Sequence, residues 1–317
     1  MKAHSEPTRR EFLGRATQLG VVGAVTTHAI LPRSAMAEDA AKRNVWQIGC
    51  YTRPWAAHDY RVALDAIAEA GYKYVGLMTT NSPNHLVISV ETSLDEAQKI
   101  GAECKSRKLE VPSCYGGDIP VAKSLEAGIE GLKKLIDNCA AAGVRNLMMG
   151  GVGDEKLYDA YYGAIAACCD YAAGKGIGIS VKPHGGLNAT GPECRKTIEK
   201  VGHKNFRLWY DPGNIFYYSD GKLNPIDDAA TVDGLVVGMS VKDYLPPKQV
   251  DVTPGTGQVD FPKVMARLRH GGFTSGPLIV ECLTQPGVPV PGDLPQLLVQ
   301  AKQAREFIEN LVAQTHA

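Results

Sequence analysis

The sequence predicts an α/β protein that folds as a single (β/α)8 barrel behind an N-terminal export signal. Short apolar segments alternate with helix-like segments, and this alternation predicts parallel strands joined by helical crossovers. Eight such units occupy about 270 residues, a usual length for one barrel of this kind. Glycines such as Gly71 and Gly143 end the predicted helices, as is common just past a helix C-terminus.

The predicted elements follow one another with no linker and no second domain. The first helix is predicted from Leu64, Ile67 and Ala68, which recur on one helical face. An open doubly wound sheet is the alternative, but no GxGxxG motif opens this helix. The predicted strands are 45–50, 74–78, 109–114, 144–149, 176–182, 206–210, 235–241 and 277–280. The predicted helices are 59–70, 94–107, 123–142, 155–173 and 294–312.

The composition excludes several classes of protein. The chain carries 34 basic and 34 acidic residues, and this balance disfavours nucleic-acid binding, which usually needs a basic surplus. Hydrophobic residues make up 44% of the chain, which suits a globular protein with a core. The eight cysteines include no CxxC pair, so a zinc ribbon or thioredoxin chemistry is disfavoured.

The N-terminus has the features of a twin-arginine export signal. Arg9 and Arg10 precede Phe-Leu, an apolar run follows over 19–31, and Ala35-Met36-Ala37 is typical of a cleavage site. We therefore predict a signal peptide over 1–37, a barrel domain over 38–317 and a periplasmic location. The apolar run is short for a membrane span, so no stable membrane insertion is expected after processing.

Polar residues and glycines cluster where the predicted strands end, which is where barrels of this kind carry their catalytic groups. The stretch VKPHGG (181–186) is one example, because a lysine and a histidine follow a buried strand there. Its glycines would let the backbone approach a ligand closely. The candidate site residues are Arg53, Trp55, His85, Lys182, His184, Asp211, Asn214, Lys242 and Glu281.

Four motifs give the chain a resemblance to the xylose isomerase-like TIM-barrel superfamily of sugar phosphate isomerases and epimerases. They are YDPGN (210–214), VKD (241–243), PGTGQVDF (254–261) and GFTSGPLIVE (272–281). The resemblance covers essentially the whole chain after the signal. It implies one divalent cation held by Glu, Asp, His and Glu at strands five to eight, and proton exchange beside a sugar carbonyl through an enediolate.

The chain departs from this pattern at two of the implied ligand positions. Lys182 stands at the strand-five Glu position and Ser240 at the strand-seven His position, while Asp211 and Glu281 remain. One interpretation keeps a divalent cation such as Mg²⁺, Mn²⁺ or Zn²⁺, bound by Asp211, Glu281 and His184. The simpler one is a metal-free site in which Lys182 supplies the positive charge and pairs with Asp211 and Glu281.

The resemblance implies a sugar isomerase, an epimerase or a related lyase, acting by proton abstraction beside a carbonyl. Lys182, Glu281 and Asp211 are the predicted catalytic residues, with Lys182 stabilising an enolate oxygen or acting as a base. A periplasmic location favours a free sugar, a keto-sugar or a glycoside over a sugar phosphate. The predicted contacts to this small carbohydrate come from His184, Asn214, Lys242, Arg53, Trp55 and His85.

Structural and non-catalytic interpretations of the same residues stay open beside the enzymatic one. Lys242 and Asp243 would equally well form an internal ion pair, and Tyr217 and Tyr218 are expected to serve loop packing. A non-catalytic sugar-binding protein is the alternative function, since a fold does not determine a reaction. A DNA-repair enzyme similar to endonuclease IV is a third, but it would need a cluster of zinc ligands that the motif positions do not supply. The oligomeric state is left open.

Overall fold

The structure, a computed structural model, describes residues 45–284 and 293–314, so the predicted export signal lies outside the described residues. Eight parallel strands close into one barrel in sequence order, with β8 pairing against β1. This confirms the predicted fold. The strands are β1 Trp46–Tyr51, β2 Tyr74–Leu77, β3 Glu110–Tyr115, β4 Asn146–Met149, β5 Gly178–Val181, β6 Phe206–Tyr210, β7 Val236–Val241 and β8 Gly276–Val280.

The helices surround the barrel and connect its strands. They are α1 Tyr60–Glu69, α2 Leu94–Ser106, α3 Leu125–Ala141, α4 Tyr158–Gly174, α5 Gly191–Val201, α6 Pro212–Tyr218, α7 Pro225–Ala229, α8 Phe261–His270 and α9 Leu294–Gln314. Helices α5 to α8 have no counterpart among the predicted helices. At the start of α5, Thr190 and Glu193 form a capping box. None of the described helices combines the length and the apolar character needed to cross a membrane.

A small hydrophobic cluster fills the barrel interior and is separate from the main core under the helices. It contains Tyr51, Met78, Met148, Trp209 and Ile279. Their sequence neighbours on β6 and β8 belong to the main core instead, because successive side chains of a strand point to opposite faces.

Two glycines make room for the large rings of this interior cluster. A Cβ atom at position 76 would fall on the Tyr51 ring, and one at position 238 would fall on the Trp209 ring. Because side chains alternate along a strand, a residue two positions after an inward-facing residue also faces inward, and this reaches the strand ends. Trp209 predicts an inward Asp211, and Ile279 predicts an inward Glu281.

Candidate active site

A cavity of about 440 Å³ opens at the carboxyl ends of the strands, directly above the interior cluster. This volume lies in the range of sites that enclose small ligands. Eight of the cavity's lining residues are named in the sequence analysis: Arg53, Lys182, His184, Asn214, Tyr217, Tyr218, Lys242 and Glu281. The others are Met78, Thr79, Tyr115, Lys248, Gln249, Val250 and Asp251.

The floor of the site is a quartet of two lysines and two carboxylates, which we call the ion quartet: Lys182, Lys242, Asp211 and Glu281. The Nζ atom of Lys182 lies 2.7 Å from Oε2 of Glu281 and 3.0 Å from Oδ2 of Asp211. The Nζ atom of Lys242 lies 2.6 Å from Oε1 of Glu281 and 3.2 Å from the same Asp211 oxygen. All four side chains are at most 3% exposed. The predicted pairing of Lys182 with both carboxylates is therefore present, and Lys242 joins it.

Arg53 adds a third cation to Glu281. Its Nη1 atom donates a hydrogen bond to Oε1 of Glu281 at 2.8 Å, and its Nη2 atom donates one to Asp251 at 3.3 Å. Arg53 and Asp251 are part-exposed, so this pair forms the boundary between the buried floor and the solvent.

The charges of the ion quartet keep both Glu281 and Lys242 ionised. Burial would raise the pKa of Glu281, but the charges of Lys182, Lys242 and Arg53 hold it well below its ordinary value. Burial would likewise lower the pKa of Lys242, but Asp211 and Glu281 raise it well above its ordinary value. Glu281 is therefore a carboxylate at neutral pH, and Lys242 is an ammonium group.

The DPGN motif builds the strand-six side of the site. Asp211 is the N-cap of α6, and its Oδ1 atom accepts a hydrogen bond from the backbone N–H of Asn214. Pro212 stands in the first helical turn, and a Cβ atom on Gly213 would lie 2.8 Å from the carbonyl oxygen of Lys242. This cap uses only one oxygen of the carboxylate and leaves Oδ2 of Asp211 to face the two lysines.

Asn214 links two strand ends rather than presenting a free amide to the cavity. Its Nδ2 atom donates a hydrogen bond to the Pro183 carbonyl at 2.6 Å, and its Oδ1 atom accepts one from Lys242 at 3.1 Å. Both ends of the amide are thus engaged by the protein. This contact positions Lys242, whereas the sequence predicts a substrate contact for Asn214.

Lys242 and Asp243 do not form the internal ion pair that the sequence left open. The Asp243 carboxylate accepts hydrogen bonds from the backbone N–H groups of Tyr244, Gly255, Gly257 and Val259, at 2.8–3.0 Å. Both residues lie just beyond the end of β7, where Lys242 turns to Asp211 and Glu281 and Asp243 turns to the following loop. Asp243 therefore fixes the PGTGQ loop, and Lys242 belongs to the ion quartet.

The VKPHGG stretch places His184 in the cavity wall. Gly185 and Gly186 have φ angles of 81° and 56°, which glycine adopts without strain. The backbone N–H of His184 donates to the carbonyl of Asn188 at 2.9 Å, and Tyr162 donates to the Asn188 side chain at 2.6 Å. These contacts anchor the loop that carries His184.

The imidazole of His184 stays open to the cavity and lies between two tyrosine rings. Its ring centre is 6.1 Å from that of Tyr115 and 6.0 Å from that of Tyr218. Burial in the cavity wall is the main cause that lowers the pKa of His184 to about 3, and the charge of Lys182 is the second. The ring is therefore neutral at physiological pH and can either accept or donate a hydrogen bond.

Two of the predicted substrate contacts lie away from the cavity in this structure. Trp55 is only 1% exposed and packs in the main core beneath the helices, so its ring is not available to stack on a sugar. His85 is an exposed loop residue with a φ angle of 59°, and it does not line the cavity. Tyr217 and Tyr218 do line it, whereas the sequence assigns them to loop packing.

The donor set does not fit a divalent cation. Within 45–284 and 293–314, no group of three or more His, Cys, Asp and Glu side chains is placed to hold a metal ion. Asp211, Glu281 and His184 therefore do not form the predicted ligand set. The two carboxylates instead face ammonium groups, which would repel a cation at the same place. Ser240 is buried beneath them, and its hydroxyl has no hydrogen-bond partner in the described part of the chain.

Sequence comparisons agree with the barrel architecture. A family model described as xylose isomerase-like TIM barrel matches residues 64–311. Among curated proteins, the chain is similar to the probable L-ribulose-5-phosphate 3-epimerase of Mycoplasma pneumoniae, with 28% identity over 116 residues. That match covers 37% of the chain and 36% of the relative, so it spans about a third of the relative's length.

Solved structures with the same barrel cover most of the chain. A xylose isomerase domain protein from Planctomyces limnophilus matches with a TM-score of 0.64 and 19% identity, over 84% of the chain and 97% of that structure. A D-psicose 3-epimerase solved in the presence of D-fructose matches with a TM-score of 0.65 and 16% identity, over 84% of the chain and 99% of that structure. An L-ribulose 3-epimerase matches with a TM-score of 0.65 and 15% identity, over 86% of the chain and 96% of that structure. At these identities the likeness establishes the fold.

Proposed function

Because the chain belongs to the xylose isomerase-like TIM barrel family, we propose that it is a sugar isomerase or epimerase, or a related lyase, acting beside a carbonyl. The observation that carries this proposal is the ion quartet at the cavity floor. Two ammonium groups and two carboxylates meet there, almost fully buried, at the end of the barrel where such folds perform chemistry. The quartet supplies both a positive charge and a proton acceptor without a metal ion.

Lys182 is the proposed stabiliser of the negative charge that develops on the substrate. Removal of a proton beside a carbonyl places this charge on the carbonyl oxygen, as in an enolate or enediolate. An ammonium group donating a hydrogen bond to that oxygen stabilises the charge strongly, because the floor is shielded from water. Lys242, whose raised pKa keeps it charged, supplies the second positive charge beside it.

Glu281 is the proposed proton acceptor. Its lowered pKa keeps it ionised, and its three cationic partners make it a weak base while the site is free of substrate. When Lys182 turns one hydrogen bond from Glu281 to the substrate oxygen, the carboxylate loses a partner and its proton affinity rises. Substrate binding would thus activate the base. Return of the proton to the neighbouring carbon yields an isomer. An epimer forms when the original carbon is protonated on its opposite face by a second donor.

The proposed substrate is a free sugar, a keto-sugar or a glycoside. Support comes from the predicted twin-arginine signal, since a periplasmic enzyme would meet few sugar phosphates. Further support comes from the charges that line the cavity: Arg53 is paired with Glu281 and Asp251, and Lys248 is paired with Asp220. Few unpaired cations are therefore available for a phosphate group.

Solvent-deuterium exchange tests the proposed reaction. The purified protein is incubated in ²H₂O with a panel of ketoses and aldoses, with EDTA present, and incorporation at the carbons beside the carbonyl is followed by NMR. We expect exchange for at least one sugar, and a loss of at least a hundredfold in Lys182→Met and in Glu281→Gln. The matched control is Lys200→Met, which makes the same change in an exposed ion pair.

Two results would contradict the proposed mechanism. Exchange by Lys182→Met at the wild-type rate would remove Lys182 from the reaction. Exchange that requires an added divalent cation and disappears with EDTA would show that the metal-free interpretation is wrong.

A non-catalytic sugar-binding protein is the second candidate. The observation that favours it is the closed pairing of the ion quartet, in which each lysine already contacts both carboxylates. Such a network can serve charge balance alone. Stoichiometric binding of a sugar by calorimetry, with no deuterium incorporation over days, would decide for this candidate.

A further inference from the structure

We infer that the cavity takes a sugar joined to a second, uncharged ring, so that the substrate is a glycoside rather than a lone monosaccharide. This inference rests on the proposed function, because it places the reacting sugar over the ion quartet. It adds a second binding position at the cavity mouth, formed by Tyr217 and Tyr218.

The cavity is larger than one sugar ring needs. Its volume of about 440 Å³ corresponds to roughly fifteen water molecules at about 30 Å³ each. A hexose has twelve carbon and oxygen atoms, and bonded atoms lie closer together than separate water molecules do. A single hexose over the floor would therefore leave part of the cavity filled with water.

Four aromatic rings of the cavity lining contact one another in turn, from Tyr115 through His184 and Tyr218 to Tyr217. The successive ring centres are 6.1, 6.0 and 5.0 Å apart. Neighbouring ring planes are inclined at 46°, 61° and 86°, so a ligand would meet ring edges as well as ring faces. Aromatic faces are suited to the apolar C–H surface of a sugar or to a second aromatic ring, because they offer a large rigid contact area.

Tyr217 is held at the mouth and away from the charged floor. Lys248 lies over its ring, with Nζ 5.1 Å from the ring centre, and the same lysine pairs with Asp220 at 2.8 Å. The ring is half-buried, and no hydrogen bond to its hydroxyl is found among the described residues. One ring face is covered by Lys248, so Tyr217 lines the cavity with the part of its ring that Lys248 leaves uncovered.

The charges at the mouth are already paired, which favours an uncharged second ring. Lys248 is neutralised by Asp220, and Asp251 accepts a hydrogen bond from Arg53 at 3.3 Å. A phosphate or carboxylate on the second ring would be repelled by the carboxylate that accompanies each of these cations, Asp220 or Asp251. A neutral sugar or phenyl group would not.

Matched pairs of ligands test this second position. Binding of fructose and of its glycosides lactulose and isomaltulose is measured by calorimetry, for the wild-type protein and for Tyr217→Phe, Tyr217→Leu and Tyr217→Ala. We expect at least one glycoside to bind about tenfold more tightly than fructose. This ratio should persist in Tyr217→Phe, which keeps the ring, and fall about tenfold in the other two. Tyr217→Leu keeps much of the packing volume, so it separates loss of the aromatic face from loss of local structure.

The inference is overturned if no glycoside of the panel binds more tightly than fructose, or if the ratio is unchanged in Tyr217→Leu and Tyr217→Ala. Deuterium exchange, measured on the same ligands, reports on the proposed reaction independently. Preference for a glycoside without exchange would keep the second position and reject the reaction. Exchange of fructose without any preference for its glycosides would do the reverse.

Discussion

Replacing Lys182 by methionine tests the ion quartet through stability, independently of any substrate. The substitution keeps an unbranched side chain one atom shorter than that of lysine and removes one of the two ammonium groups. Asp211 and Glu281 then share Lys242, with Arg53 still bound to Glu281. A buried carboxylate that loses a partner is destabilising, at about 3–5 kcal/mol for a fully broken pair.

The remaining cations offset part of this cost, so we expect a loss of about 3 kcal/mol in the free energy of unfolding. For a barrel of about 270 residues, this corresponds to a decrease in Tm of about 5 °C. Thermal and urea unfolding, followed by circular dichroism, measure the two quantities. Lys200→Met is the matched control: it makes the same change in an exposed pair with Asp159 and should leave Tm unchanged.

The double variant Lys182→Met/Asp211→Asn removes one charge of each sign and should be more stable than the sum of the single variants predicts. We expect a coupling energy of about 1–3 kcal/mol, as found for residues in one network. Purely additive single variants, or a Lys182→Met protein as stable as the wild type, would refute the interpretation that the quartet balances buried charge.

Three further predictions concern the walls of the site. Between pH 6.5 and about 3, His184 is protonated in the unfolded chain but not in the folded protein, so it lowers the free energy of unfolding as the pH falls through that window. His184→Gln should reduce this part of the pH dependence. An unchanged dependence of the free energy of unfolding on pH would contradict this prediction. Asp243→Asn places an amide donor among four backbone donors and should cost about 2–4 kcal/mol in urea unfolding, whereas a cost near zero would mean that the carboxylate does not fix the PGTGQ loop. Gly150→Ala puts a methyl group 2.8 Å from the Tyr115 hydroxyl and 3.2 Å from Nδ1 of His184, so we expect weaker sugar binding by calorimetry, while the control Gly153→Ala, with no atom within 4 Å, should bind as the wild type does.

Local patterns in the sequence predict the eight strands and five of the described helices. The strand predicted over 206–210 is observed as Phe206–Tyr210, and the helix predicted over 94–107 ends one residue earlier. The strand predicted over 176–182 is shorter, at Gly178–Val181, which leaves Lys182 just beyond the last paired residue. These patterns are local, because hydrophobic periodicity and capping residues act within a few turns or a single strand.

Part of the site also follows from position along the chain. Lys182, Asp211 and Glu281 come directly after strands, and parallel strands bring their carboxyl ends to one edge. The error at Trp55 has a different origin. A residue that follows a strand can turn either into the cavity or under the helices, and in Trp55 the packing of a large apolar ring in the core decides.

The sequence by itself therefore determined the order of strands and helices and the set of polar residues at the strand ends. Only the tertiary structure decided which of these residues meet. Lys182 and Glu281 are 99 residues apart, and Arg53 and Glu281 are 228 apart, yet each pair forms a hydrogen bond. The physical reason is barrel closure: pairing of β8 with β1 brings distant strand ends together, and no local pattern encodes the partner. The same closure placed Lys242 on Asp211 and Glu281 rather than on its neighbour Asp243.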